Sequence, residues 1–141
     1  MRPRPSARTL ALLQQARLPL VEGMMLCNGH RIVQVDAGGG LRLGDVRHDQ
    51  APMLLLVAGT WRWLEDDRPD PLAVPDPGDR GTWMLLLDEL GRRRAVDTRD
   101  GARLVREEGG WRLIGATEVG LGMAEVGDPM EALAGALLGD G

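Results

Sequence analysis

Short apolar segments separated by glycine-containing turns are the feature that most constrains the fold of this chain. Asn28-Gly29, Gly59-Thr60, Asp100-Gly101 and Gly109-Gly110 each interrupt residues that favour extended backbone. Connections this short force neighbouring segments to pair antiparallel, because a parallel pair needs a long crossover. The pattern predicts a mainly β fold, an antiparallel β meander of roughly seven to nine strands that forms a small sandwich or barrel.

The clearest hairpin signal is Asn28-Gly29, which favours a type I′ turn between segments 20–27 and 30–36. The continuous apolar run Met53–Ala58 predicts a strand buried on both faces at the centre of a sheet. Further strands are predicted over 41–43, 61–64, 82–88, 92–99, 102–108 and 111–119.

A short helix is predicted near each end of the chain. The first covers about 8–18 and is ended by Pro19, and the second covers 129–138 and is capped by Asp128. Residues 1–7 form an extended arm, because proline lacks a backbone N–H and disfavours helix in the residue before it. We expect one β-rich domain over 8–141, with an irregular loop rich in Pro and Asp over 65–81.

The composition limits both the core and the partners. The chain has no Phe, Tyr or Lys, which indicates a GC-rich bacterial or phage genome and leaves Leu, Met and Trp to fill the core. A net charge of −4 disfavours binding to nucleic acid. Cys27 is the only cysteine, so no internal disulfide forms. No apolar run approaches the roughly 20 residues of a membrane-spanning helix, so no membrane partner is expected.

The candidate chemical groups are few. Cys27, His30 and His48, with Asp45 and Asp49 nearby, are the one cluster of metal-ligand types, but Cys27 and His30 lie on opposite sides of a predicted turn. A Cys27–His30 nucleophile lacks a recognisable oxyanion hole. The acidic loop from Asp66 to Asp79 matches no EF-hand spacing, so it is expected to be solvated or to contact a basic neighbour. We therefore predict no catalytic residue, no cofactor and no metal.

Two groups of side chains are candidates for an interface or a ligand platform. Trp61 and Trp63 alternate along a predicted strand and share one face, where they would fill the core, anchor a protein interface or stack on a ligand. Arg92, Arg93 and Arg94, with other arginines on the next strand, form the one concentrated basic patch. Acidic residues lie among them, so cross-strand ion pairs are expected, and the surplus charge would meet an acidic partner.

Two short motifs support one family resemblance. At Pro77-Gly78-Asp79-Arg80, followed by Trp83, and at Gly109-Gly110-Trp111-Arg112-Leu113, the chain resembles small Trp-containing β modules in fibre proteins of alphaproteobacterial prophages and gene transfer agents. The resemblance implies a role in a virion and assigns no binding residue.

Three functions are compatible with the sequence. The first is a non-enzymatic structural or interaction protein of a bacteriophage or phage-like virion (head decoration, spike or tail-fibre module) that forms a homo-oligomer or larger assembly. The alternative is a cytoplasmic bacterial binding or accessory module that recognises a partner protein or small ligand through the Trp face. The third is a small enzyme that uses Cys27 and His30.

Overall fold

The computed structural model of the chain describes residues 4–44 and 52–139. Contacts divide the chain into two compact units. Leu18–Asp76 forms the first, which we call the inserted unit because it lies in the sequence between the two parts of the other. Met1–Arg17 and Pro77–Gly141 form the second, the split unit. The contacts thus give a finer division than the one β-rich domain expected over 8–141.

Helices near both ends of the chain belong to the split unit. Helix α1 (Ala7–Gln15) begins at Ser6, whose hydroxyl accepts a hydrogen bond from a backbone N–H of the first turn at 3.1 Å. The C-terminal helix (Pro129–Leu138) begins at Asp128, whose carboxylate does the same at 3.0 Å. Both predicted helices are confirmed, the second with the expected bounds. The first begins one residue earlier than predicted, at the last residue of the predicted arm, and ends three residues early; residues 1–3 of that arm lie outside the described residues.

A further helix, α2 (Arg80–Arg94), occupies a segment for which the sequence predicts strands over 82–88 and 92–99. That prediction is wrong. The carboxylate of Asp79 caps the helix by accepting hydrogen bonds from the backbone N–H and the hydroxyl of Thr82 at 3.0 and 2.8 Å. The C-terminal helix is therefore α3 in chain order. The buried residues of α2 recur at helical spacing: Thr82, Leu86, Leu87, Leu90 and Gly91.

The sheet of the split unit is a three-stranded antiparallel meander in the order β5 (Arg103–Glu107), β6 (Gly110–Ile114) and β7 (Glu118–Gly122). The strand predicted over 111–119 is thus two strands joined by a tight turn. The hairpin expected at Asp100-Gly101 does not form, because Arg92–Arg94 are helical and, among the described residues, β5 pairs with β6 alone.

The sheet of the inserted unit has four strands in sequential antiparallel order, as predicted from the short connections. Hydrogen bonds link β3 to β2 on one side and to β4 on the other, so its predicted central position is confirmed. The strands are β1 (Arg31–Val35), β2 (Leu41–Gly44), β3 (Met53–Val57) and β4 (Thr60–Trp63).

Turn geometry in the inserted unit differs from the expectation at Asn28-Gly29. The chain does reverse there, but of these two residues Gly29 alone has a positive φ, and a type I′ turn needs two. The side-chain oxygen of Asn28 instead accepts a hydrogen bond from the backbone N–H of His30 at 2.9 Å. Two consecutive positive φ angles, +51° and +83°, occur at Ala58 and Gly59 between β3 and β4.

Hydrogen bonding continues beyond both edges of the four-stranded sheet. Beside β4, Arg62 forms an antiparallel bridge with Pro69. At the opposite edge, Met25 bridges the first residue of β1, and the adjacent Leu26 bridges Pro75. The loop rich in Pro and Asp is therefore irregular between these points but pairs with the sheet region at both of them.

Leucine carries the core, as the composition predicts. Of the twelve largest fully buried side chains in the described residues, eleven are Leu and one is Ile. Trp111 is buried, whereas Trp61, Trp63 and Trp83 are half-buried. The structure thus confirms antiparallel meanders and a helix near each end. Because a third helix, α2, replaces two predicted strands, helices and strands are of similar extent in the described residues, and the fold is not mainly β as predicted.

Candidate interaction surface

Trp61 and Trp63 share one face of the four-stranded sheet, because alternate residues of a strand point to the same side. In the register of β3 with β4, Trp61 lies opposite Leu56, and Trp63 lies opposite Leu54. Leu54 is fully buried, whereas Leu56 is 54% exposed. The face therefore changes from core to surface along the hairpin.

His30 and Asp70 complete this face. The imidazole ring of His30 meets the Trp63 ring edge-on, with 5.4 Å between the centroids. Asp70 donates its backbone N–H to the carbonyl oxygen of Trp61 at 2.9 Å, and its carboxylate accepts a hydrogen bond from the side-chain amide of Asn28 at 2.9 Å. We call the following set the tryptophan face: Leu56, Trp61, Trp63, His30 and Asp70.

Exposed apolar residues lie at both ends of the β3–β4 hairpin. Val57, beside the turn, and Leu64, which follows β4 at the opposite end, expose 50% and 57% of their surface. The prediction that 53–58 is buried on both faces is therefore wrong for the second half of β3. Six of the seven exposed large hydrophobic residues in the described chain belong to the inserted unit. Contact of this surface with another molecule would gain about 25 cal/mol for each Å² of apolar area buried.

An acidic turn follows the second tryptophan directly. The backbone N–H of Asp67 donates to the carbonyl oxygen of Trp63 at 2.9 Å, which holds Glu65, Asp66 and Asp67 at the end of β4. All three acidic residues are exposed. The carboxylates of Asp66 and Asp67 lie 3.9 and 4.0 Å from the nearest guanidinium groups, and such surface pairs contribute little. Residues 61–70 contain four carboxylates and two arginines, so this segment is acidic where it follows β4, at the end of the hairpin away from the turn.

The basic run Arg92–Arg94 lies in the last turn of α2, and not on an exposed strand as predicted. Arg92 and Arg93 pair with Glu89 within the helix. Arg93 and Arg94 also donate hydrogen bonds to carbonyl oxygens in the last turn of α3, at 2.6 and 2.9 Å. Because carbonyl groups at a helix C-terminus lack partners within the helix, these contacts stabilise α3. Two of the three guanidinium groups therefore act in the fold of the split unit.

Glu89 has a pKa that reflects this arrangement. Burial alone would raise the pKa of its carboxyl group, but the hydrogen bonds and positive charges of Arg92 and Arg93 together lower it below the ordinary value. The carboxylate thus stays ionised and anchors the arginine run.

Two further arginines of the predicted patch, Arg99 and Arg106, also have partners. Arg99 contacts the carboxylate of Asp97 at 2.6 Å, and this hydrogen bond lowers the pKa of Asp97 to about 2. Arg106 lies over the Trp111 ring, 5.7 Å from its centroid, and donates a hydrogen bond to the carbonyl oxygen of Val126. The indole N–H of Trp111 donates to the same oxygen at 2.8 Å. The spacing of residues in the sequence does not predict the cluster of Arg106, Trp111 and Val126, because Val126 lies outside the strands.

The groups considered for metal binding or catalysis are only partly described. The Cys27 thiol donates a hydrogen bond to the carbonyl oxygen of Pro75 at 3.5 Å, and His30 contacts Trp63. Across 4–44 and 52–139, no three His, Cys, Asp or Glu side chains form a group that could hold a metal ion. Asp45, His48 and Asp49 lie outside the described residues.

The split unit contains a cavity of about 240 Å³ between the start of β5 and the end of β6. Arg103 supplies its one charged side chain; the other lining residues are Gly101, Ala102, Ile114 and Gly115. A binding pocket for a small molecule usually has several convergent polar groups, and this cavity lacks them. The tryptophan face and the adjoining acidic turn are thus the stronger candidate for recognition.

Comparisons with known proteins give no assignment: no protein-family model, no curated protein and no solved structure matches the chain. In the part of the chain that the structure describes, no helix is both long enough and apolar enough to cross a membrane.

Proposed function

We propose that this chain is a non-enzymatic structural and interaction protein that assembles with other protein subunits in a bacteriophage or phage-like virion, as a head decoration, spike or tail-fibre module. The observation that carries the proposal is the turn end of the β3–β4 hairpin, where the exposed Leu56 lies opposite Trp61. Tryptophan is enriched among the residues that contribute most binding energy in protein interfaces.

The shape of the surface favours a protein partner over a small ligand. His30 contacts Trp63 edge-on, and Leu56 lies directly opposite Trp61 on the neighbouring strand. The two half-buried indoles thus belong to a continuous sheet face, whereas sites for small molecules are concave. A sheet face on which an exposed leucine lies opposite a tryptophan is typical of the apolar centre of an interface.

The virion role rests on the family resemblance together with this surface. Of the two segments that resemble fibre modules, Gly109–Leu113 lies at the β5–β6 hairpin, and Trp83 lies on α2. The β-hairpin segment is therefore the one that supports the resemblance.

The proposal includes a small β-barrel for the inserted unit. Its support is the pairing that continues from both edges of the sheet into the bridges of Arg62 with Pro69 and of Leu26 with Pro75. A closed or nearly closed sheet leaves its outer face and the ends of its hairpins for recognition, and Leu56 and Trp61 lie at the turn end of the β3–β4 hairpin.

Sedimentation velocity of the full chain at several concentrations tests the assembly. We expect a defined oligomer that the substitution Leu56→Asp dissociates, since it places a charge in the apolar contact. Met84→Asp is the matched control, because Met84 is also exposed but lies on α2 of the split unit. A wild-type chain that stays monomeric at all concentrations would overturn the proposal of a homo-oligomeric virion subunit and favour the accessory-module alternative.

A further inference from the structure

We infer that the tryptophan face and the adjoining acidic turn bind the N-terminal Arg-Pro arm of a second copy of this chain. The inference rests on the proposed function, because it names the partner segment within the assembly. It makes the contact head-to-tail: each copy offers one arm and one face, and the two surfaces differ.

The arm has the chemistry that an acidic aromatic surface recognises. Its sequence is Met1-Arg-Pro-Arg-Pro-Ser6, and the first carboxylate of the chain is Glu22. Proline fixes its own φ at about −65° and biases the residue before it toward extended backbone, a combination that favours polyproline II geometry. Arg4 is exposed. Proline-rich segments in this geometry bind aromatic-lined surfaces with a small loss of conformational entropy, because their backbone is already restricted.

The face supplies complementary groups at matching places. The indoles of Trp61 and Trp63 offer apolar surface to proline rings, and tryptophan is the best aromatic partner for a guanidinium group. The acidic turn starts where β4 ends, since Asp67 is hydrogen-bonded to the carbonyl oxygen of Trp63. Exposed carboxylates of Glu65 and Asp66 thus lie next to the aromatic surface, where they would pair with arginines of the arm.

Charge is distributed between the units in the way that this contact requires. The inserted unit contains nine Asp and Glu against five Arg, so it carries the whole net charge of −4. The first 21 residues contain four Arg and no carboxylate. Opposite charges of this kind speed association and fix the orientation of the partners.

A charge exchange between two variants tests the contact. In the first variant, Arg2→Glu and Arg4→Glu reverse the charge of the arm. In the second, Glu65→Arg and Asp66→Arg reverse the charge of the acidic turn. Asp67 is left unchanged because its φ of +56° suits aspartate better than arginine. Each variant alone should self-associate about tenfold or more weakly than the wild type, since two attractive pairs become repulsive.

An equimolar mixture of the two variants should recover association, because each reversed arm then meets a reversed turn. Asp100→Arg with Glu108→Arg is the matched control; both residues are exposed acids of the split unit, and their reversal should leave association unchanged. Sedimentation velocity measures all four samples, and circular dichroism checks that each is folded.

Each of the following results would overturn the inference. If the reversed-arm variant associates like the wild type, or if the mixture fails to recover, the arm does not bind this face; an oligomer still dissociated by Leu56→Asp would leave the proposed function standing. If the wild type is monomeric and a synthetic Met1–Arg8 peptide does not bind it, both proposals fail. Binding of that peptide to a monomeric wild type would instead indicate recognition of an Arg/Pro-rich segment of a different protein, which also overturns the second copy as partner.

Discussion

Gly110 and Gly122 approach each other so closely that a Cβ on Gly110 would lie 2.1 Å from the carbonyl oxygen of Gly122. Gly110 also has a φ of +131°, which residues with a side chain rarely adopt. The contact lies where β6 follows the turn from β5 and pairs with the end of β7.

Gly110→Ala should therefore lower the free energy of unfolding by about 3 kcal/mol or more, since the strained φ and the steric overlap both oppose the folded state. Gly109→Ala is the matched control, because no atom lies within 4 Å of a Cβ there and its φ is not positive. Urea denaturation followed by circular dichroism measures both. Equal stabilities of the two variants would contradict the close approach of β6 to β7.

Neighbouring arginines at the end of α2 differ in role: Arg93 contacts α3, whereas the guanidinium group of Arg92 is mostly exposed. Arg93→Met should lower the free energy of unfolding by about 1–3 kcal/mol, because it removes a charged donor from a carbonyl oxygen in the last turn of α3. Arg92→Met, one residue away, removes a guanidinium group that is mostly exposed, and Glu89 keeps its pair with Arg93, so the denaturation midpoint should change less than for Arg93→Met. A larger loss for Arg92 than for Arg93 would show that α3 does not depend on this contact.

Acid should act on the pair formed by Asp97 and Arg99. Hydrogen bonds from Arg99 hold the pKa of Asp97 at about 2, below its ordinary value of 3.8. A depressed pKa in the folded state stabilises the fold above pH 3.8, and this contribution is lost as the pH falls toward 2. NMR titration of the Asp97 carboxyl carbon should give that midpoint, and Arg99→Gln should raise it. An unchanged midpoint in the variant would exclude Arg99 as the cause.

Two alanines lie in the left-handed region, where glycine is favoured. Ala58 in the β3–β4 turn and Ala95 at the end of α2 have φ of +51° and +56°. Replacing either alanine with glycine should stabilise the fold by about 0.5–1 kcal/mol, because glycine adopts a positive φ without steric cost. Elsewhere an alanine-to-glycine substitution usually destabilises a fold. Ala37→Gly, in a turn residue whose φ is not positive, should slightly destabilise it. Thermal unfolding of the three variants measures the sign, and a lower melting temperature for Ala58→Gly would contradict this turn geometry.

The antiparallel sheets could be predicted because the residues that specify each strand pair lie close together in sequence. Glycine at the turns and apolar residues between them specify neighbouring pairs, and the registers of β3 with β4 and β5 with β6 follow from two-residue connections. The face shared by Trp61 and Trp63 follows from the same alternation. The contacts of His30 with Trp63 and of Asn28 with Asp70 join residues far apart in sequence, so spacing along the chain does not predict them.

Helix α2 was missed for a physical reason that concerns Gly91. Glycine near Glu89 and Leu90 favours a turn, yet a Cβ at Gly91 would lie 2.5 Å from the side chain of Thr98 and 2.8 Å from the carbonyl oxygen of Val96. The residue is glycine because the returning chain packs against the helix there. Two local signals did favour a helix: Asp79 as an N-cap before Thr82, and Glu89 spaced for pairs with the arginines that follow.

The division of the chain has a consequence for the order of events during synthesis. Helix α1 is translated first, but it packs against α3, and Arg8 lies 3.6 Å from Glu131 near the other end of the chain. In the inserted unit, by contrast, the last residue to be synthesised is Asp76. Its backbone N–H donates a hydrogen bond to the carbonyl oxygen of Met25 in the same unit. We expect it to become resistant to protease on ribosomes that carry a partly made chain, while α1 still lacks its partner. The part of the protein that bears the tryptophan face would thus be folded before the unit that begins the chain.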